Sequence, residues 1–376
     1  MRIHPFVVLI LTAATTLHAP PAMAQPSAAQ APAKRPAGIP KCFEYKTLTL
    51  PEGQRYEYLL FLPPQYDRDP NHRWPVIVSL HGSGECGNVV KMAGMALPRY
   101  AATHSDQFPF ILIASNCPTM WYRGANAGAV LAELETVLAE TRADPDRVYL
   151  TGYSMGGFAT WELGMARPDL FAALVPVCGV GAPEAVGNVA ALPIWAFHGA
   201  ADRNVPVAGS RRPIEALKRL GARPRYTEFA RDTHEIWEQV YSDKALYRWL
   251  LQHRRAPAPR EIDYTLVGPI ATAWWIAAEA DPAVKTPARV VAEIQDGGHI
   301  RIDTTGIRRW QIRSNDPPLS VGDPIDITWN GQPIYKGRFE GAIGFDPTSR
   351  PSEPAKTPAS RPSDENRPVE TPHPSP

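Results

Sequence analysis

The chain is short of cysteine, of net charge and of long apolar runs, and each shortage removes a class of protein. Only Cys42, Cys86, Cys117 and Cys178 occur in 376 residues. They form no CxxC pair and no Cys/His cluster, so no zinc or iron–sulfur pattern is present. An even set allows zero, one or two disulfides, and spacing does not choose among the pairings. A formal net charge of +1 gives no electrostatic reason for a nucleic acid or an anionic membrane as partner. The longest N-terminal apolar run, residues 6–11 continuing weakly to Leu17, is too short to cross a bilayer, so no transmembrane anchor is expected. His234-Glu235 begins like a zinc-protease helix, but Glu238 stands where H-E-x-x-H needs its second histidine. Nothing in the pattern calls for a metal or an organic cofactor.

Proline, by contrast, is abundant. The 41 prolines exceed what one compact domain accommodates, and they gather at the two ends. Arg2 and His4 precede the apolar run, and Ala22-Met23-Ala24 supplies a small-x-small cleavage pattern, so residues 1–24 read as an export signal. Residues 25–41, rich in Ala and Pro, read as a disordered leader. Residues 346–376 hold Pro, Ser, Thr and charge with little to bury, and read as a disordered tail.

Between these ends two grammars follow one another. Residues 47–50 and 56–62 flank Pro51-Glu52-Gly53 and predict an antiparallel hairpin. Continuous apolar runs at 76–80, 110–114, 148–151, 172–177 and 194–197 suit parallel strands buried on both faces. Helical patterns lie between them: 129–140, 158–166, 213–220 with Pro213 early in its first turn, and 236–252. Alternating strand and helix over residues 42–255 predicts an α/β fold, a doubly wound, mostly parallel sheet. After Ala256-Pro257-Ala258-Pro259 the pattern becomes β-rich, with runs at 289–294, 299–304, 308–313, 325–329 and 334–339. Turn chemistry at Asp296-Gly297-Gly298 and Asn330-Gly331 marks hairpins. Residues 262–341 are therefore expected to form a small all-β accessory domain.

The chemistry concentrates in three places. Gly152-Tyr153-Ser154-Met155-Gly156 falls directly between a predicted strand and a predicted helix, the context in which a serine is projected from a strained turn. A hydroxyl nucleophile needs a base, and the base needs an orienting carboxylate. In chain order after Ser154, Asp202 follows the strand-like 194–197, and His234 follows the strand-like 225–229. Both lie at the carboxyl edge, where ligand chemistry collects in such sheets. Asp232 precedes His234 in the same loop and suits the role less well. His198, at a strand end, is expected to be packed or hydrogen-bonded there. The third place is His81-Gly82-Ser83-Gly84-Glu85-Cys86-Gly87 after the strand 76–80. Its glycines permit close backbone approach to an oxyanion, with the residue after the nucleophile as second donor. The backbone N–H groups of Ser83 and Met155 are assigned to that role, with Gly82 as the alternative to Ser83.

The blocks LHGSGECG, ASNCP, DRVYLTGYSMGGFATWELGMARPDLFAALVPVCG, FHGAAD and DTHEIW resemble the bacterial esterases related to polyhydroxybutyrate depolymerases and feruloyl esterases. That group is also labelled phospholipase/carboxylesterase or prolyl-oligopeptidase-like. The resemblance covers roughly residues 46–254. It implies an α/β-hydrolase with Ser154, Asp202 and His234 as catalytic triad, and the β-rich tail resembles the accessory domain of some such esterases more loosely. Cys86 departs from the group, whose members tend to carry arginine there.

The expected activity is hydrolysis of small-molecule or polymer-borne carboxylic esters through an acyl-enzyme. A prolyl-oligopeptidase-like serine peptidase and a non-catalytic envelope or carbohydrate binder are the competing readings. The chain has no room before Cys42 for the propeller of such a peptidase, and the complete triad set disfavours a binder. The segment 179–192 is too small for a cap domain, so an open cleft is expected. Trp121, Tyr122 and Trp237 are candidate aromatic walls of that cleft, with core packing as their alternative. Cys86 and Cys117 each follow a strand at the same edge and are expected to lie close together.

Overall fold

In a computed structural model, the structure describes residues 34–121, 125–313 and 318–346. The proposed export signal, residues 25–33 of the leader, Tyr122, and residues 347–376 of the tail lie outside the described residues.

The first sheet has eight strands. Strands β1 (Phe43–Thr49) and β2 (Arg55–Phe61) form the expected antiparallel hairpin. The rest are β3 (Trp74–Leu80), β4 (Ile111–Asn116), β5 (Ala143–Tyr153), β6 (Ala173–Val177), β7 (Trp195–Gly199) and β8 (Arg225–Phe229). Their order is β1-β2-β4-β3-β5-β6-β7-β8, antiparallel across β1/β2 and β2/β4 and parallel elsewhere.

The apolar runs are continuous because both faces are covered. Alternate residues of one strand enter different cores: Ile77, Leu112 and Tyr149 on one face, and Val76, Val78, Ile111, Ile113, Val148 and Leu150 on the other. The first face is covered by α1 (Val89–Ala93), α2 (Ala96–Thr103), α6 (Trp237–Ser242) and α7 (Lys244–Leu250). The second is covered by α3 (Ala125–Glu140), α4 (Met155–Ala166) and α5 (Ala208–Arg219).

Two helices differ from the sequence pattern. The helix expected from Pro213 begins at Ala208, which places Pro213 inside α5. The carbonyl of Gly209, which an ordinary residue 213 would engage, instead accepts from Gly181 N–H at 3.3 Å, so the missing proline donor leaves no acceptor orphaned. The helix expected over 236–252 is two helices. Asp243 leaves helical geometry (φ −76°, ψ 110°) and its carboxylate caps α7 through Ala245 N–H at 2.8 Å. The short α1 ends at its cap Gly94, and α2 carries Pro98 in its first turn, where a proline leaves no helical acceptor unserved. The leader is also more ordered than composition suggests at its end. Ile39 is buried in the first core, and Arg35 donates to the carbonyls of Ile39 and Pro40 at 2.8 and 2.7 Å.

Beyond Arg255 the chain forms two further sheets. One has β10 (Ile270–Ala273), β11 (Ile276–Ala280), β14 (Ile307–Arg313) and β17 (Ala342–Phe345) in that order. The other runs β16 (Gln332–Arg338), β15 (Pro324–Trp329), β13 (His299–Thr305), β12 (Arg289–Ile294) and β9 (Glu261–Thr265). They enclose their own core, including Trp275, Ile300, Ile302, Trp310 and Phe339. Asn330 and Gly331 both take positive φ, 47° and 76°, at the β15–β16 turn, as the hairpin reading requires. The β unit runs past the expected limit of 341, because β17 pairs with β14. It meets the first unit at the C-terminal end of α4: Tyr264 donates to Ala166 O at 2.8 Å, and Asn188 exchanges two hydrogen bonds with Thr265 at 2.7 and 2.9 Å. Trp274 and Trp275 pack within the β unit rather than over the first one.

Candidate active site

The turn between β5 and α4 carries Ser154 at φ 52°, ψ −121°, a left-handed conformation that a non-glycine residue holds only under constraint. The constraint is visible in its neighbours. Ser154 N–H donates to Val177 O at 2.9 Å. A Cβ on Gly152 would come within 2.5 Å of Gly156 O, and one on Gly156 within 2.0 Å of Leu80 O. The two glycines of the motif are therefore dictated by backbones passing at contact, and β3 and α4 close onto the serine. The first N–H groups of α4 lack acceptors within the helix and point positive potential at this turn.

His234 is brought in by the loop between β8 and α6. That loop crosses the end of β7 so tightly that a Cβ on Gly199 would lie 2.0 Å from Thr233 O. Ala201 N–H donates to Asp232 O at 3.0 Å, which fixes the crossing. Asp232 is thus used through its backbone, and its side chain accepts from Gln239 at 3.3 Å. His234 Nε2 lies 2.8 Å from Ser154 Oγ, and His234 Nδ1 lies 2.6 Å from Asp202 Oδ2. A carboxylate only accepts, so Nδ1 carries the proton and Nε2 is free to take one from the serine. The other Asp202 oxygen accepts the backbone N–H groups of Asn204 and Val205 at 2.9 and 2.8 Å. Burial raises the Asp202 pKa, but those N–H groups and His234 outweigh it and hold the carboxyl below its ordinary value.

Among the described residues, Cys178, Asp202 and His234 place potential metal-ligating atoms within 4.8 Å of one another. Two of the three are engaged in the hydrogen-bonded line to Ser154. Burial, above all, pushes the Cys178 thiol up to about 12, so it is a neutral packed group that approaches His234 O at 3.3 Å.

The glycine-rich loop after β3 forms a 3₁₀ turn, Ser83–Glu85, next to the serine turn. His81 anchors its start: Nε2 accepts Cys117 N–H at 3.0 Å and Nδ1 donates to Gly82 O at 2.6 Å, while burial lowers its pKa. Ser83 and Met155 each begin a helical turn, the position at which a backbone N–H has no acceptor inside its own element. Cys86 lies close to the Cys117 segment, since its neighbour Gly87 donates to Cys117 O at 2.9 Å and its own thiol donates to Thr119 O at 2.7 Å, and neither cysteine is in a disulfide.

The two tryptophans take the packing alternative. Trp121 is buried, donates to His81 O at 2.8 Å and rests on the His81 ring at 4.8 Å. Trp237 stacks on Tyr153 at 4.6 Å and meets the His234 ring edge-on at 5.6 Å. Among the described residues, Met120, after β4, and Val180, three residues past the Val177 carbonyl that holds Ser154, are exposed apolar side chains in loops that follow strand ends. His198 is buried and hydrogen-bonded at its strand end as expected, and sequence reasoning missed its tie to Asp202 and the pair Tyr153 and Glu85. His198 reaches Asp202 Oδ2 at 3.2 Å, and Tyr153 donates to the buried Glu85 at 2.7 Å. The available signal was a charged residue inside an otherwise small and apolar loop, and a histidine preceding the FHGAAD glycine.

Parts of this chain resemble known proteins. Residues 130–186 match the prolyl oligopeptidase family. Feruloyl esterase B of Thermothelomyces thermophilus is 32% identical over 149 residues, covering 36% of this chain and 47% of that protein. Feruloyl esterase B of Neurospora crassa is 33% identical over 133 residues, covering 31% and 43%. The chain thus spans less than half the length of these relatives. A crystal structure of a thermostable esterase, 32% identical, superposes with a TM-score of 0.51 over 58% of this chain and 64% of that one. The likeness to the thermostable esterase supports the α/β-hydrolase fold.

Proposed function

We propose that this chain is an exported serine carboxylesterase that hydrolyses short-chain or aromatic carboxylic esters through an acyl-enzyme. The observation that carries the reading is the unbroken line Ser154 Oγ–His234–Asp202, with contacts of 2.8 and 2.6 Å, at the N-terminus of α4. Ser154 Oγ attacks the ester carbonyl carbon while His234 Nε2 takes its proton. The carbonyl oxygen becomes an oxyanion facing the Ser83 and Met155 N–H groups. As the tetrahedral centre collapses, the C–O bond to the alcohol breaks and His234 returns the proton to the departing alkoxide. Water then repeats the sequence on the acyl-serine, regenerating the enzyme and releasing the acid. Asp202 keeps the imidazole in the right tautomer and balances its positive charge.

Aromatic acyl groups enter the reading through the feruloyl esterase relatives, and short apolar ones through the exposed Met120 and Val180, in the loops that leave β4 and β6. The segment between β6 and β7 holds a single 3₁₀ turn, Val186–Val189, and nothing of the size of a lid. Activity without interfacial activation follows. Export rests on residues 1–24, and mass spectrometry of the mature protein would read it as cleavage after Ala24.

The deciding experiment is a panel of p-nitrophenyl acetate and butyrate, methyl ferulate, a long-chain triglyceride and peptide anilides, with Ser154→Ala as control. Turnover of the first three, lost in Ser154→Ala, is expected. The match to the prolyl oligopeptidase family favours a second reading as a peptidase. Anilide turnover exceeding ester turnover would select it.

A further inference from the structure

We infer that Glu85 is a positioning residue for the oxyanion-stabilising loop, holding residues 82–84 against the nucleophile turn through the hydroxyl of Tyr153. The inference rests on the esterase reading for its chemistry, but its geometry stands on separate residues.

Glu85 is 4% exposed, and its Oε2 accepts the Tyr153 hydroxyl at 2.7 Å. Tyr153 is the residue immediately before Ser154. Burial first, then the Glu85 charge, push that hydroxyl well above its ordinary pKa, so it remains a donor. The loop also rests on the same ring: a Cβ on Gly82 would lie 2.8 Å from Tyr153 Cε2 and 3.3 Å from Glu85 Oε2. On its other face Tyr153 stacks on Trp237 at 4.6 Å, and Trp237 meets His234 edge-on at 5.6 Å. One side chain thus joins the loop, the nucleophile turn and the base.

The arrangement has a physical purpose. An oxyanion hole works only when its two donors hold their places before the charge forms, and here they belong to separate segments, one after β3 and one in α4. A hydrogen bond to a carboxylate is about twice as strong as a neutral one. A buried negative charge beside a developing oxyanion would oppose it. Lys91 offsets this, with Nζ 3.7 Å from Glu85 Oε1 and donating to Gly84 O at 2.8 Å.

The test compares Glu85→Ala, Glu85→Gln, Tyr153→Phe and the Glu85→Ala/Tyr153→Phe double variant on p-nitrophenyl acetate. The inhibition constant of a trifluoromethyl ketone, which binds as a tetrahedral oxyanion, is measured alongside. Glu85→Ala and Tyr153→Phe are each expected to lower kcat about 10–100-fold with KM nearly constant. The inhibition constant should rise by the same factor as kcat/KM falls. Gln keeps an acceptor for the tyrosine and should restore most of the rate, and the double variant should be no worse than either single one. Wild-type kcat in Glu85→Ala, or lost activity with an unchanged inhibition constant, overturns the inference, as does full additivity in the double variant. Should Glu85→Ala fail to fold, Tyr153→Phe carries the same comparison. A wild-type enzyme inert on every ester would sink the esterase reading instead. Phosphonylation of Ser154 by a fluorophosphonate, slowed or unslowed in Tyr153→Phe, would then still decide the role of Glu85.

Discussion

His198 Nε2 lies 3.2 Å from Asp202 Oδ2, the same oxygen that His234 engages at 2.6 Å. Burial lowers the His198 pKa, although the Val205 carbonyl and the Asp202 charge work the other way. A neutral ring suits its contacts: Nε2–H donates to Val205 O at 3.0 Å, and Nδ1 faces Ser210 Oγ at 2.7 Å. The loop that presents Asp202 is therefore built around a second histidine that never meets the substrate.

Replacing it tests that arrangement. His198→Ala leaves a cavity and removes the imidazole donor from Val205 O, while Ser210 Oγ keeps Gly179 O at 3.1 Å, and is expected to destabilise the fold by about 2–4 kcal/mol. Activity should fall by roughly tenfold rather than vanish, because His234 and Ser154 keep their contact. Urea unfolding and kcat on p-nitrophenyl acetate read the two effects. Complete loss of activity in a stable variant would make His198 a participant in the reaction.

Gly156→Ala should be far more damaging than its size suggests. The added Cβ meets Leu80 O at 2.0 Å and His81 O at 2.8 Å, backbone atoms of a central strand and of the loop that follows it. Loss of more than about 3 kcal/mol is expected, seen as insoluble protein or a large drop in Tm. A variant with wild-type Tm would show that α4 can move away from β3.

Glu133 gives stability a pH dependence of defined sign. It is fully buried in α3, accepts from Ser115 Oγ at 2.5 Å, and burial pushes its pKa up to about 8. The folded protein thus keeps a proton that the unfolded chain releases near pH 4.5. This group's contribution is full below the unfolded value, falls as pH rises from there to about 8, and is flat above. Chemical denaturation of wild type and Glu133→Gln at pH 5 and pH 8 should show the variant gaining on wild type with pH, by roughly 1.4 kcal/mol per unit across that window. Parallel pH profiles would contradict a buried, protonated Glu133.

Removal of the β unit should spare the chemistry. Ser154 precedes the first residue of α4, whereas Tyr264 docks on Ala166 at its last, about 17 Å away along the helix. Truncation after Arg255 is expected to leave kcat/KM on small esters within a few-fold and to lower Tm, since the contacts of Asn188 with Thr265 and of Tyr264 with Ala166 are lost. A soluble but inactive truncate would place part of the site in the β unit.

The sequence by itself determined the pieces whose causes are local. Continuous apolar runs located β3 to β7, because strands covered on both faces are mostly apolar, while β8, at the sheet edge, is only partly buried. The strand–GYSMG–helix context identified Ser154, because only glycines fit where backbones touch two residues either side of it. Chain order and loop position selected Asp202 and His234. Tertiary structure decided what depends on a distant neighbour. Pro213 sits inside α5 because Gly181, not residue 213, serves Gly209 O. The helix expected over 236–252 breaks at Asp243, whose carboxylate caps the second half. Trp121 packs in the core because His81 O, forty residues earlier, accepts its indole N–H. Glu85 meets Tyr153, sixty-eight residues later, only because β3 and β5 are adjacent and parallel, so that their carboxyl ends open at one edge. A local pattern carries no trace of such a pairing, since either residue alone reads as ordinary and only the sheet makes them neighbours.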